Sequence, residues 1–404
     1  MADSELITRS ASGTIEPLRL WSRRRWLTLA LVWAFAALSA VPILFHWTAR
    51  SPRISRTTLA LEIGYAAAAL ICVWIYRVES RRLPKSQAGA LVFLVFLLTG
   101  VANNVHAINI DYAPKSGDMS NAEWQKMLQN AVVESSPGVL PHSYRFLPNG
   151  IVRWLESHSV SFETARDLYR LLAGLLLFYS IYRYARLFTT HLGGVLALLF
   201  ASLAYPVSFE WYMGQLTDPL SHLSFVLAFI FLETEDFAFL LTTLVIGSLA
   251  KETVLCLVGY YILFRRKERH YIGKAAALAI AALLAYFGVR LLVLHQAMHY
   301  QQVSNVHLDH VLTNLRDAHW PAPFLLTAGA YLPFLVLSWK KAPSSLKTLA
   351  LFLLPVLFLS SMFFGWLCES RNYMPAVFVL SVVAARYFNP QTDQHVPAFG
   401  KAIA

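Results

Sequence analysis

One acidic residue, Asp118, stands where the local sequence most readily supports the chemistry of a general base. It follows Gly117 and lies just before Ser120-Asn-Ala-Glu123, a pattern typical of a capping box at a helix N-terminus. A helix N-terminus stabilises a nearby carboxylate by typically ~0.3–1 kcal/mol, which favours the ionised form that a general base requires. The same pattern also fits a simple turn or cap residue, so both interpretations of Asp118 stay open from the local sequence alone.

Two other polar groups carry a weaker chemical signal. Thr217-Asp218-Pro219 precedes an apolar run and is typical of a helix start, which predicts capping as the role of Asp218. Several side chains of one polar segment have types and spacing that suit zinc: His295, His299, His307, Asp309 and His310. Histidines scattered in a polar loop are the commoner explanation, so no metal site is predicted.

The composition indicates a membrane protein. Of the 404 residues, 57% are hydrophobic and only 14% are charged, whereas soluble domains carry about 25% charged residues. The formal net charge of +11 is explained by Lys and Arg in cytoplasmic loops, so nucleic acid is not an expected partner. Cys72, Cys256 and Cys368 lie in or beside apolar segments and offer neither metal-ligand spacing nor a disulfide framework.

Apolar runs close to the ~20 residues of a spanning helix recur along most of the chain. We therefore predict an all-α, polytopic bundle of about twelve transmembrane helices, with amphipathic surface helices in a long outer loop. The predicted spans are 26–46, 59–77, 86–102, 168–187, 191–209, 220–233, 237–250, 252–264, 273–294, 322–339, 347–365 and 372–388. The predicted regions are a cytoplasmic tail (1–25), N-terminal spans (26–102), the outer loop (103–167), the main bundle (168–388) and a cytoplasmic tail (389–404).

The number of helices in the segment 237–264 determines the predicted orientation of the chain in the membrane. A single helix would place Lys251 and Glu252 inside the membrane, at a cost of about 3 kcal/mol for each charge. Two short helices that meet at these charges avoid that cost and keep the large basic clusters on the cytoplasmic side. The polar segments that contain the candidate chemical groups then share the outer face.

The outer loop itself carries helical signals. A first amphipathic helix is predicted after Ser120, and a second short helix is predicted to start at Pro148. Ser161 is predicted to cap the next transmembrane helix.

Four short motifs of this chain resemble patches of the C-type membrane glycosyltransferases. They are Ser116-Gly117-Asp118 followed by Trp124, Tyr144-Arg145-Phe146-Leu147-Pro148, Ala250-Lys251-Glu252-Thr253, and Glu369-Ser370-Arg371-Asn372-Tyr373. The resemblance covers only these patches, over roughly residues 100–375. It implies a multi-span enzyme with a polyprenyl-phosphate-linked sugar as donor and an acidic outer-loop residue as the catalytic group.

Carried over to this chain, the resemblance makes Asp118 the catalytic base, with Asp111 as the second candidate. Transfer from a lipid phosphosugar leaves a phosphate behind, and Arg or Lys can neutralise the charge that develops on it. The donor-phosphate candidates are Arg145, Lys251 and Arg371, and the supporting candidates are Tyr144, Asp218, Glu252 and Glu369. This chain departs from the family pattern in two ways. Two predicted spans precede the span that leads into the outer loop. Asp118 also lacks an adjacent second acid, which leaves open whether a divalent cation assists the reaction.

Each of the three cations also has a structural explanation. Lys251 and Glu252 fit a solvated turn between short helices. Glu369 and Arg371 fit an interfacial ion pair worth at most ~1 kcal/mol. Arg145 fits a side chain that snorkels to a lipid headgroup.

The leading functional prediction is an integral-membrane glycosyltransferase that moves a sugar to an acceptor hydroxyl on the outer face of the membrane. Its expected partners are the polyprenyl-phosphate sugar donor, a glycan, lipid or protein acceptor, and membrane lipids. The expected location is a bacterial inner membrane, with the active site facing the periplasm or exterior. The alternative is a transporter or lipid-carrier flippase without catalytic activity, since transporters use broken helices and ionisable residues within the membrane.

Overall fold

The computed structural model of the protein describes residues 56–111, 120–134, 145–208, 215–289, 308–317 and 331–388, with isolated positions between these ranges. The chain divides into two compact units, 1–69 and 70–404. In the first unit the structure describes 56–69, which form the beginning of one helix. The helix packing, the ion pairs and the cavity described below belong to the second unit.

The described part of the chain is helical and contains no strand. The helices are α1 (Arg56–Glu79), α2 (Lys85–Asp111), α3 (Asn121–Val133), α4 (Phe146–Ser157), α5 (Phe162–Ala185), α6 (His191–Val207), α7 (Thr217–Glu233), α8 (Phe237–Ala250), α9 (Cys256–Phe264), α10 (Tyr271–Gly288), α11 (Leu308–Arg316), α12 (Leu332–Trp339), α13 (Ser344–Phe364) and α14 (Met374–Ala385). Two short 3-10 helices, Glu252–Leu255 and Ser370–Tyr373, precede α9 and α14.

Four helices among the described residues are long and apolar enough to cross a membrane. The stretches that meet this criterion are Leu59–Glu79, Lys85–Ala107, Tyr271–Gly288 and Ser344–Phe364. Three shorter apolar helices accompany them, at His191–Pro206, Phe237–Ala250 and Glu252–Phe264. These findings are compatible with a membrane protein. The expected twelve crossings are not confirmed, and the predicted span 26–46 and both tails lie outside the described residues.

The core of the second unit is built around α5, α7, α8 and α14. Helix α7 packs against both α5 and α8, α8 packs against α10, and α14 packs against α6 and α12. Helix α14 is apolar on every face and is buried along its whole length. It is a central helix of this unit.

Basic side chains collect where α5, α7 and α14 end. Arg183 pairs with Glu79 at 3.0 Å, Arg265 pairs with Glu235 at 3.5 Å, and Arg386 donates to the carbonyl of Phe188 at 2.6 Å. The rings of Tyr184 and Phe229 lie 5.6 Å apart and connect the ends of α5 and α7. We call this end of the unit the basic end.

The predicted local signals of the outer loop are confirmed where the structure describes them. Ser120 and Glu123 form the capping box at the start of α3, and Ser161 accepts a hydrogen bond from the amide of Thr164 at the start of α5. Helix α4 begins at Phe146, two residues before Pro148.

The predicted interruption between two short helices is also present. Helix α8 ends at Ala250, and Lys251 has an extended backbone with φ −161° and ψ 129°. The chain then turns into the 3-10 helix that begins at Glu252. Helix α8 has only 14 residues, so it is about 21 Å long. The charged residue Lys251 directly follows its last residue.

Candidate functional site

A cavity of about 340 Å³ lies at the ends of the helices opposite the basic end. Its polar side chains include Arg145, Gln215, His222, Lys251, Glu252, His310, Glu369, Arg371 and Asn372. We use the name charge cluster for Arg145, Asp218, Lys251, Glu252, Glu369 and Arg371. These six side chains come from four separate places in the chain.

Asp218 lies at the base of the charge cluster. Its side chain is fully buried, and both of its carboxylate oxygens accept from Nη1 of Arg371, at 3.2 and 3.1 Å. The Lys251 ammonium lies 3.5 Å from one of these oxygens. The predicted role of Asp218 as a helix cap is wrong, because its carboxylate pairs with these cations and no side-chain cap hydrogen bond is present at the start of α7.

Lys251 is buried between α8 and the following 3-10 helix. Its ammonium also donates to Oδ1 of Asn372 at 2.9 Å. Burial lowers the pKa of Lys251 to about 8, although the Asp218 carboxylate opposes this shift. Since only 5% of the residue is exposed, the alternative of a solvated turn does not hold for Lys251.

Arg371 contacts two carboxylates of the cluster. Besides Asp218, it binds Oε2 of Glu369 at 2.7 Å, and Nδ2 of Asn372 donates to the same oxygen at 3.1 Å. The imidazole Nε2 of His222 lies 3.1 Å from the carbonyl oxygen of Arg371 and donates to it. Glu369 and Arg371 therefore form a buried pair, in contrast to the alternative of an interfacial one.

Arg145 and Glu252 form a second ion pair on the wall of the cavity. Arg145 donates from Nε at 3.3 Å and from Nη2 at 2.8 Å to the two oxygens of Glu252. Its Nη1 donates to Oε1 of Gln215 at 2.8 Å, and its carbonyl accepts from Asn149. Burial opposes the charged form, but Glu252 outweighs this effect and raises the pKa of Arg145. The snorkelling alternative does not fit a guanidinium that is buried in this way.

Hydroxyl and aromatic groups also line the cavity. Helix α13 contributes Ser360, Ser361 and Phe364, and Trp366 follows in the loop after it. The ring of His310 lies 4.8 Å from the ring of Trp366. A ligand in this cavity would therefore meet ionic, hydroxyl and aromatic groups.

Helix α11 fixes the loop that follows α13. Asn314 donates to the carbonyls of Met362 and Gly365, each at 3.0 Å, and accepts from the amide of Leu367 at 3.1 Å. His310 is hydrogen-bonded to the carbonyl of Gly365 at 2.8 Å. These contacts hold the chain that leads to Glu369 at the edge of the cavity.

The structure brings together six of the nine residues predicted for the site, which are the members of the charge cluster. Asp118 and Tyr144 lie outside the described residues. Asp111 is the last residue of α2, and its side chain is also outside the described part. The hydrogen bond from Asn103 to the carbonyl of Asp167 connects this end of α2 with the beginning of α5.

Sequence reasoning assigned no role in this site to several polar residues that line the cavity, among them Gln215, His222, His310 and Asn372. In the sequence, the spacing around His310 suggests only a zinc ligand. Asn372 stands out only as a member of the motif Glu369-Ser370-Arg371-Asn372-Tyr373. Their common signal is position, since each lies within a few residues of a charged motif or of a helix terminus. Gln215 and His222 flank Asp218 on the two sides.

The geometry suits an anionic group better than a metal ion. Within the described ranges, no group of three or more His, Cys, Asp or Glu side chains is arranged to hold a metal. The cavity instead presents guanidinium and ammonium groups, which bind phosphate and carboxylate oxygens. The carboxylates of the cluster keep these cations in place.

Comparison with known proteins returned no match to a family model, to a curated protein or to a solved structure. The fold and the site thus define a helical protein that has, among its described residues, four candidate membrane spans and a cavity lined by the charge cluster.

Proposed function

We propose that this protein is an integral-membrane glycosyltransferase of the C-type superfamily, which moves a sugar from a polyprenyl-phosphate donor to an acceptor hydroxyl. The observation that carries the proposal is the convergence of Arg145, Lys251 and Arg371 on one cavity. These three cations belong to separate sequence motifs, and more than 100 residues separate each motif from the next. Such convergence is expected of a phosphate site.

The shape of the cavity also supports a phosphosugar ligand. Its ionic groups suit a phosphate, while the hydroxyl groups of Ser360 and Ser361 suit the hydroxyl groups of a sugar. Trp366 and Phe364 offer apolar faces to the remaining carbon skeleton. In this proposal the isoprenoid tail lies between helices beside the apolar α13.

The proposed reaction needs a base and a stabilised leaving group. The acceptor oxygen attacks the anomeric carbon, and its proton passes to the carboxylate of Asp118, the base implied by the family resemblance, with Asp111 as the second candidate. The bond from the anomeric carbon to the phosphate oxygen breaks, and the phosphate leaves with the electron pair. The cations of the cluster stabilise this leaving group.

The proposed location is a bacterial inner membrane, with the cavity on the periplasmic or exterior face. The basic end supports this orientation, since Lys and Arg accumulate on the cytoplasmic side of membrane proteins. In the full topology we propose about twelve crossings, some of them by helices shorter than ~20 residues that are surrounded by protein.

The direct test is sugar transfer by purified protein in proteoliposomes, with a panel of polyprenyl-phosphate sugars and labelled product as readout. Wild-type protein is expected to transfer at least one sugar, and Asp118→Asn is expected to lose about 100-fold or more of the rate, because the base is removed. Glu134→Gln, which changes an exposed Glu paired with Arg153 outside the cavity, is the matched control. Unchanged transfer by Asp118→Asn would remove Asp118 as the base, and absence of transfer from every donor would count against the enzyme.

A second candidate is a transporter or flippase for the lipid-linked sugar. The specific observation in its favour is the interrupted segment at Lys251, where a buried charge lies between two apolar helices. A flippase would move the donor between leaflets of a proteoliposome without changing it chemically. Leaflet exchange with no transferred sugar would favour this candidate over the enzyme.

A further inference from the structure

The cations of the charge cluster are already paired with carboxylates of the same cluster. Its three cations face three carboxylates, and the shortest pairs are Arg145 with Glu252 at 2.8 Å and Arg371 with Glu369 at 2.7 Å. An incoming phosphate therefore meets cations that already hold carboxylates. These carboxylates offset the attraction of the cations for an anion, so strong binding of an anion requires one carboxylate to move away.

Glu252 differs from the other two carboxylates of the cluster. Its side chain is 27% exposed, whereas those of Asp218 and Glu369 are 0% and 6% exposed. Asp218 and Glu369 share Arg371, and each has a second polar neighbour in Lys251 or Asn372. Glu252 is therefore the carboxylate of the cluster that can most easily move into solvent.

The contact between Arg145 and Glu252 also has the geometry of a bound phosphate. Two nitrogens of the guanidinium hold the two carboxylate oxygens, which is the way Arg binds two oxygens of a phosphate. The third nitrogen is held separately by Gln215. Arg145 therefore remains hydrogen-bonded to Gln215 when Glu252 moves away. The guanidinium nitrogens that Glu252 releases then face the cavity, which both residues line.

We propose that Glu252 is an internal competitor that occupies Arg145 in the empty protein and is displaced by the anionic group of the ligand. Displacement removes one negative charge from the surroundings of the ligand, so the attraction of Arg145, Lys251 and Arg371 for the anion increases. The proposal rests on the anion site of the proposed function and adds to it a residue that sets how tightly the anion binds.

Equilibrium binding of two probes tests the proposal, with full-length protein in lipid nanodiscs and calorimetry as readout. Inorganic pyrophosphate represents a free phosphate compound, and farnesyl phosphate represents a lipid-borne phosphate. Glu252→Gln removes the competing charge and keeps the side-chain size, so its Kd for at least one probe is expected to fall about tenfold. The probe with the larger gain identifies the source of the phosphate.

Glu134→Gln is the control, because it neutralises an exposed Glu that pairs with Arg153 away from the cavity, and its Kd is expected to equal that of wild type. Glu252→Asp is the second variant, for the case in which Glu252→Gln does not fold. The shorter carboxylate cannot reach both nitrogens of Arg145 at once, so the Kd is expected to lie between the values for wild type and Glu252→Gln.

The outcomes separate this proposal from the proposed function. Equal or weaker binding by Glu252→Gln, or by Glu252→Asp where Glu252→Gln is unfolded, overturns the competitor role. If wild type still binds the probes and transfers sugar in that case, the proposed function stands. If neither wild type nor variant binds either probe, the anion site itself is absent and both proposals fail.

Discussion

At the scale of single residues, the site depends on how its buried charges share their partners. Arg371 satisfies Asp218 and Glu369 together, whereas Lys251 adds a longer contact of 3.5 Å to Asp218. Removal of one partner from a buried pair leaves an uncompensated charge, which costs more than loss of the pair as a whole. The two cations should therefore respond differently to mutation.

We predict that Arg371→Met destabilises the protein far more than Lys251→Met. Arg371→Met leaves two buried carboxylates without their main partner, for an expected loss of about 3–5 kcal/mol. Lys251→Met leaves Asp218 bound to Arg371, so the loss is expected to be clearly smaller. Thermal unfolding of both variants in the same detergent measures the difference. Equal melting temperatures for the two variants would contradict the assigned pairings.

The depressed pKa of Lys251 predicts opposite pH effects on binding and stability. Burial places this pKa at about 8, below its usual value of 10.5. Between these values the unfolded chain binds more protons than the folded protein, so the free energy of unfolding is expected to rise as pH increases from about 8. Over the same window the neutral amine binds anions less well, so affinity for farnesyl phosphate is expected to fall.

Melting temperature and Kd at pH 7 and pH 9 test this prediction, with Lys251→Met as the reference that lacks the titrating group. The difference between wild type and Lys251→Met should change with pH in both measurements. A difference that is independent of pH would show that Lys251 does not titrate there.

Local sequence identified the charged residues of the cluster but not how they pair. The cations and acids of the cluster were recognisable by type and by position between apolar runs. The partners of Asp218 lie 33 and 153 residues away, at Lys251 and Arg371. The pattern Thr217-Asp218-Pro219 contains no information about such distant contacts. It therefore predicted a helix cap for Asp218.

At the scale of the helices, the site forms where several helices begin or end at the same level. Helix α8 ends beside Lys251, while α7 begins beside Asp218 and α14 begins just after Arg371. Close packing of α8 against α7 and the 3-10 helix depends on Gly247. A Cβ atom at this position would lie 2.9 Å from Val254 and 3.0 Å from Ser224.

We predict that Gly247→Ala lowers stability by about 1–3 kcal/mol, because the added methyl group forces α8 away from its neighbours. Gly273→Ala is the control, since Gly273 lies in the first turn of α10 and an added methyl group there would meet no neighbouring element within 4 Å. The control is expected to be neutral or slightly stabilising, because Ala favours helix over Gly. Thermal unfolding distinguishes the two, and equal effects would contradict the packing argument.

Helix positions were largely predictable, because hydropathy and capping patterns are local. The interruption at Lys251 followed from the cost of placing two charges in a membrane, and helix α8 has the predicted bounds. The start of α4 was misplaced by two residues, since Pro148 marks the first turn of a helix without fixing its first residue.

At the scale of the whole molecule, charge is distributed unevenly between the two ends of the second unit. The basic end carries Arg183, Arg265 and Arg386, and the charge cluster lies at the other ends of the same helices. Under the positive-inside rule we propose that the basic end faces the cytoplasm. In this proposal the cavity opens toward the exterior.

We predict that single cysteines at the two ends react on opposite sides of the membrane. In a variant without Cys72, Cys256 and Cys368, Glu134→Cys near the cavity end is expected to react with an impermeant maleimide in intact spheroplasts. Lys267→Cys, in the exposed loop between α9 and α10, is expected to react only after the membrane is permeabilised. The reverse pattern would contradict the proposed orientation.

The central claim is that the charge cluster binds the phosphate of a lipid, and photo-crosslinking tests it most directly. A polyprenyl phosphate with a diazirine near its phosphate is bound to the reconstituted protein, activated by light and located by mass spectrometry. We predict adducts on peptides that contain Leu357, Phe364 or Trp366, and at least about tenfold less adduct in Lys251→Met than in Glu134→Gln. Adducts elsewhere in the chain, or equal labelling of the two variants, would contradict the claim.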